Sequence, residues 1–113
     1  MRSFLLLGLV AFAVAWSFPA TAADAIPAPA KAAFDRSADK AEKGDLRGAI
    51  SDYGRAIQLD PSDGAAFANR GLMRAAAGDK NGAASDFKAA IAVFEERGNA
   101  RLAETARRQL EKL

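Results

Sequence analysis

Part of this chain repeats itself at an offset of 34 residues, and no other feature of the sequence constrains the fold as tightly. Gly44-Asp45 recurs as Gly78-Asp79. Gly48, Ala49, Ser51, Asp52, Ala56 and Ile57 then recur as Gly82, Ala83, Ser85, Asp86, Ala90 and Ile91, with Tyr53 answered by Phe87. A period of this length holds one helix-turn-helix unit, which cannot bury its apolar face alone and so stacks on its neighbours. The expectation is therefore an all-α fold: a short α-solenoid of two 34-residue helix-turn-helix repeats, about residues 31–63 and 64–97, closed by a capping helix over about 99–113. The residue types fit such a stack. Alanines let helices approach closely, one aromatic per second helix fills the gap between layers, and glycine turns the chain.

Apolar positions along the chain follow helical spacing throughout. A first helix from Lys31 carries Phe34, Ala38 and Ala41 and closes at Lys43-Gly44. Asp45 can cap a second, with Leu46, Ala49, Ile50, Tyr53, Ala56 and Ile57 on one face. Asp60-Pro61 ends it, because the residue before proline is pushed out of the α region. Asp63 offers a cap for a third helix bearing Phe67, Ala68, Gly71, Leu72 and Ala75, which Gly78 closes. Asp79 opens a fourth with Ala83, Ala84, Phe87, Ala90, Ile91 and Phe94, and Gly98-Asn99 stops it. The fifth presents Leu102, Ala106, Leu110 and Leu113, with Glu104/Arg108 and Arg107/Glu111 spaced for ion pairs. Alanine accounts for 29 residues, about half of the 50% that is hydrophobic, so the core is expected to be thin.

Ahead of these helices lies an export signal. Arg2 supplies the positive end, Phe4 to Phe18 an apolar run, and Ala20-Thr21-Ala22 a small-residue site for cleavage after Ala22 or Ala23. The run falls short of the ~20 residues a spanning helix needs, and Pro19 interrupts it. Residues 1–22 are thus read as a cleaved signal peptide and 23–30 as an Ala/Pro linker, leaving residues 31–113 as one domain in the periplasm or secreted. The alternative on the same residues is an uncleaved, membrane-anchored assembly factor.

Over about Ala32 to Phe94 the chain resembles the tetratricopeptide repeat family. In the first repeat the match lies in Gly44-Asp45, Ala49, Tyr53, Ala56 and Pro61. In the second it lies in Phe67, Asn69-Arg70-Gly71, Gly78-Asp79, Ala83, Phe87 and Ala90. The opening helix departs from the pattern, with Arg36, Ser37 and Lys40 where the family usually has Leu, Gly and Tyr, and is expected to face solvent. Glu95 stands in place of a proline, so the fourth helix can run on towards Arg97. A fifth helix would then cover Phe87, Ile91 and Phe94 with Leu102, Ala106 and Leu110. The resemblance implies a non-catalytic module that binds a peptide or protein surface through the concave face of its first helices. Here that face would draw on Ala65, Ala68, Asn69, Arg70, Leu72 and Ala76, with Arg36 at its flank. Of the residues with which some members grip a terminal carboxylate, only Asn69 is present.

Composition narrows the chemistry further. The absence of Cys and His excludes a thiol nucleophile, a disulfide, a His proton shuttle and zinc or haem sites built on those ligands. No cofactor or metal is expected, because Asp35, Asp39, Asp52, Asp60 and Asp63 lack the alternating spacing of a calcium loop. A net charge of +2, falling to +1 once Arg2 is removed, gives no field for nucleic acid. Arg70 and Arg74, one turn apart, could hold an anion but are read chiefly as a solvated face. The competing class is a small carboxylate-dependent hydrolase of the cell envelope. A domain this small also leaves a homo-oligomer open.

Overall fold

The computed structural model describes residues 28–113, so the signal segment and the start of the linker lie outside the described residues. Five helices follow in order: α1 (Ala28–Glu42), α2 (Leu46–Leu59), α3 (Gly64–Ala76), α4 (Lys80–Glu96) and α5 (Ala100–Glu111). No strand occurs among the described residues. Connections of three or four residues fold consecutive helices back on one another, and the main packing is α1 on α2, α2 on α3, α3 on α4 and α4 on α5.

Each turn is written into its residues. Gly44, Gly78 and Gly98 take φ of 81°, 89° and 70°, the left-handed conformation that ends a helix without the strain a Cβ would add. The Asp45 amide then donates to the Lys40 carbonyl at 2.9 Å, and Asp79 and Asn99 donate to Arg74 and Phe94 at 2.8 Å, which occupies carbonyls the helix end leaves free. The same three residues cap the next helix. Asp45, Asp79 and Asn99 accept from the amides of Gly48, Gly82 and Leu102. Asp63 accepts from both Ala65 and Ala66 to start α3. Asp45 and Asp79 stand 34 residues apart, so the sequence repeat is also a repeat of local hydrogen bonding.

The core forms two clusters joined by α3. One holds Ala33, Ala49, Tyr53, Ala56 and Ala66, with Phe34, Ile57 and Met73 against it. Phe34 meets the Tyr53 ring edge-on at 5.4 Å. The other holds Ala90, Phe94, Ala103 and Ala106, with Phe67, Ala68 and Ile91 against it. Close approach explains the small residues. A methyl group on Gly71 would sit 2.9 Å from Cε1 of Phe87, and one on Gly64 would sit 2.6 Å from Cε1 of Phe94.

Three sequence expectations are corrected. First, α1 begins at Ala28, with Pro29 in its first turn, where the missing amide hydrogen costs nothing, so Ala28 to Ala30 belong to the helix and not to a linker. Second, the deepest face of α1 is Ala30, Ala33 and Ser37, with Phe34, Ala38 and Ala41 only half-buried beside it. Ser37 is fully buried, not solvent-facing. It lies 34 residues before Gly71, and its hydroxyl donates to the Ala33 carbonyl at 2.9 Å. Third, α5 covers the core with Ala103 and Ala106, while Leu102 stays 42% exposed. Arg107 there pairs with Glu95 and Glu104, not with Glu111, and Arg108 reaches Glu104 at 3.6 Å as its spacing predicts.

Candidate functional site

Helices α1, α3 and α5 share one side of the molecule, and grooves run on either side of α3 there. Between α3 and α5 lies a mainly apolar groove of about 240 Å³. Ala65, Ala68, Asn69 and Leu72 form one wall and Leu102, Thr105, Ala106 and Gln109 the other, over a floor of Phe87 and Phe94 from α4. A hollow of similar size, about 250 Å³, between α1 and α3 is lined by Lys31, Phe34, Asp35, Asp63 and Ala65. Ala65 borders both. Leu72 is 38% exposed on one wall and Leu102 stands on the other, so two exposed leucines face one slot instead of lying scattered over the surface.

Of the six residues the sequence singles out, four therefore come together in one groove. Ala76 lies exposed at the end of α3 and does not line it. Arg70 turns the other way. Its Nε and Nη2 donate to Asp86 at 3.0 and 2.8 Å in a two-pronged pair, and Arg74 Nη1 adds a third bond at 3.0 Å. Asp86 is buried on α4, and Arg70 also lies 5.9 Å over the Phe67 ring. The two arginines are thus neither a solvated face nor a free anion site: they neutralise a carboxylate inside the α3/α4 pair. One repeat earlier Lys40 on α1 lies 2.6 Å from Asp52 on α2, in the positions equivalent to Arg74 and Asp86. Arg36, equivalent to Arg70, remains exposed.

Asn69 has a role that its type alone did not disclose. Burial pushes the Tyr53 phenol above its ordinary 10.0, and a hydrogen bond from the Asn69 side chain opposes that shift. Asn69 is therefore both a groove-wall residue and a neighbour of the Tyr53 phenol. The groove's second wall was missed in sequence, where α5 reads as a cover. The signal that could have found it is the run Leu102, Thr105, Ala106 and Gln109, whose spacing puts it on one face of α5.

Most carboxylates are engaged in local structure. Asp35 pairs with Lys31, Asp52 with Lys40, and Asp63 caps α3. Asp60 accepts from the Ser62 hydroxyl, which in turn accepts from Arg97. No group of three or more potential metal ligands occurs among the described residues. No helix among them is long and apolar enough to cross a membrane. Neither a known protein family nor a curated protein matches the chain.

Proposed function

We propose that this chain is a small tetratricopeptide-like helical repeat that works without catalysis, holding a peptide or protein segment on the side shared by α1, α3 and α5. The observation that carries the reading is the α3/α5 groove, whose walls hold Leu72 and Leu102, two of the three large exposed apolar side chains among the described residues, over an aromatic floor. Its volume is below the ~300–1,000 Å³ typical of small-molecule sites, which favours capture of a protruding side chain over a free ligand. Placement in the periplasm or outside the cell follows from the residues at the N-terminus, and Edman sequencing of the mature chain should begin at Ala23 or Asp24.

Position-specific crosslinking tests the surface. A photoreactive residue at Leu72 or Leu102 should join the chain to the same partner band in cells, whereas one at exposed Ser85 on α4 should not. Equal labelling from Ser85 would remove the shared side as the binding surface.

A further inference from the structure

Helix α5 carries a ridge of positive charge along the solvent side of the groove. Thr105 lines the groove, and Arg101, Arg108 and Lys112 fall with it at i, i+4, i+7 and i+11, one continuous stripe on a helix. The stripe spans ~16 Å at 1.5 Å per residue. All three cations are exposed. Arg101 and Lys112 form no ion pair among the described residues, and Arg108 reaches Glu104 only at 3.6 Å with its side chain 70% exposed. The facing wall is neutral, since Ala65, Ala68, Asn69 and Leu72 carry no charge. One side of the groove is therefore basic, its floor is apolar, and its other side is bare.

We propose that the groove receives an acidic amphipathic segment of a protein partner, which seats one large apolar side chain over Phe87 and Phe94 and lays its carboxylates along Arg101, Arg108 and Lys112. This rests on the reading of the α1/α3/α5 side as the binding surface and specifies the chemistry of what binds there. Guanidinium groups suit carboxylates, and a row of cations beside an apolar slot selects partners by charge while the slot supplies the anchor. A bilayer fits less well. Glu104 and Glu111 lie on the exposed face of the same helix and would meet anionic headgroups, and the slot admits only a narrow insertion.

The test uses the full chain and two fluorescein-labelled synthetic helices with leucines on one face. Glutamates flank the leucines in the first and lysines replace them in the second. Anisotropy titrations should show binding of the glutamate peptide, weakening as salt rises, and far weaker binding of the lysine peptide. Arg101→Glu with Arg108→Glu, both on the surface, should weaken the glutamate peptide by about tenfold or more and improve the lysine peptide. Leu72→Asp should weaken both, with circular dichroism confirming that each variant stays helical. If the two peptides bind alike, or if reversing the ridge changes nothing while Leu72→Asp still abolishes binding, the acidic class is wrong and the surface stands. If neither peptide binds, or if the ridge instead governs binding to phosphatidylglycerol vesicles, the proposal is overturned. The crosslinking at Leu72 judges the surface independently.

Discussion

Asp86 shows how a charged residue can belong to the interior, and why Arg70 and Arg74 are misjudged as a solvated face. A carboxylate on an otherwise apolar helix face reads as a surface group, yet it is buried, because Arg70 and Arg74 on the preceding helix supply three hydrogen bonds to it. Removing Arg70 strands a buried charge with one remaining partner and should cost ~2–3 kcal/mol, while Arg74→Ala leaves the two-pronged pair and should cost ~1 kcal/mol. Urea denaturation of both variants, and of Arg70→Ala combined with Asp86→Ala, checks this; the double variant should be little worse than Arg70→Ala alone. Purely additive losses would mean that the pair is not coupled. Tyr53 gives a second residue-scale expectation. Its phenol is raised above 10.0 chiefly by burial, so the folded state keeps a proton that the unfolded chain gives up at lower pH. The resulting stabilisation is complete below pH 10 and is lost as pH rises through the folded value. Tyr53 is the only tyrosine, so tyrosinate absorbance reports it directly, and the alkaline melting curve of Tyr53→Phe should lack the part of the decline that the wild type shows. Matching alkaline profiles would exclude a buried phenol.

At the scale of helices, the close-packing alanines make the sharpest forecast. Ala83 and Ala90 have no exposed surface, whereas Ala100 opens α5 in solvent. Ala83→Leu and Ala90→Leu should each cost ~1–3 kcal/mol by overpacking, and Ala100→Leu should be nearly neutral. In a domain of this size each kcal/mol lowers the melting temperature by ~4–8 °C, which calorimetry resolves easily. The junctions between helices were legible because caps and turns depend on one residue each: Asp45, Asp63, Asp79 and the left-handed glycines announce themselves, whereas the start of α1 at Ala28 was not. So were the faces of α2 and α4, where Tyr53 and Phe87 stand out among alanines. The face of α1 was not, since in a segment made largely of alanine and charge the spacing of small residues has little contrast, and the large Phe34 draws attention from Ala30, Ala33 and Ser37. For α5 the misreading has the same root. Sequence reasoning places leucine inside, but a tight contact with Ala90 and Phe94 admits Ala103 and Ala106, which turns Leu102 out to become a groove wall. Half of the candidate site was therefore hidden by a packing rule that prefers the smaller side chain.

The whole molecule is a row of helices that touch chiefly their neighbours in sequence, and this sets its stability. Among the described residues, nine of the twelve buried apolar ones are alanine, with Tyr53, Phe87 and Phe94 the exceptions. Each alanine removes little area from water at ~25 cal/mol per Å², and a chain this short buries a small share of its surface. The two clusters communicate through α3, where Ala66 belongs to one and Phe67 and Ala68 support the other. Helices α1 and α5 are each held chiefly from one side, so their amides should exchange fastest and those of α3 and α4 slowest in a hydrogen-exchange experiment. It follows that the domain should sit near the lower limit of independent stability and gain from anything that fills its groove or covers its ends. A ligand that binds only the folded form raises stability by mass action, by ~2.7 kcal/mol at a hundredfold excess over its dissociation constant. Self-association would act in the same way and would make the unfolding midpoint depend on protein concentration. Guanidinium denaturation at several concentrations, with and without the glutamate peptide, separates these cases. The expected result is a low midpoint that climbs with added peptide, with Leu72→Asp abolishing the climb. A high midpoint that neither concentration nor peptide moves would mean that α5, through Ala103 and Ala106, completes the core unaided and that no docking energy is needed to keep the row of helices folded.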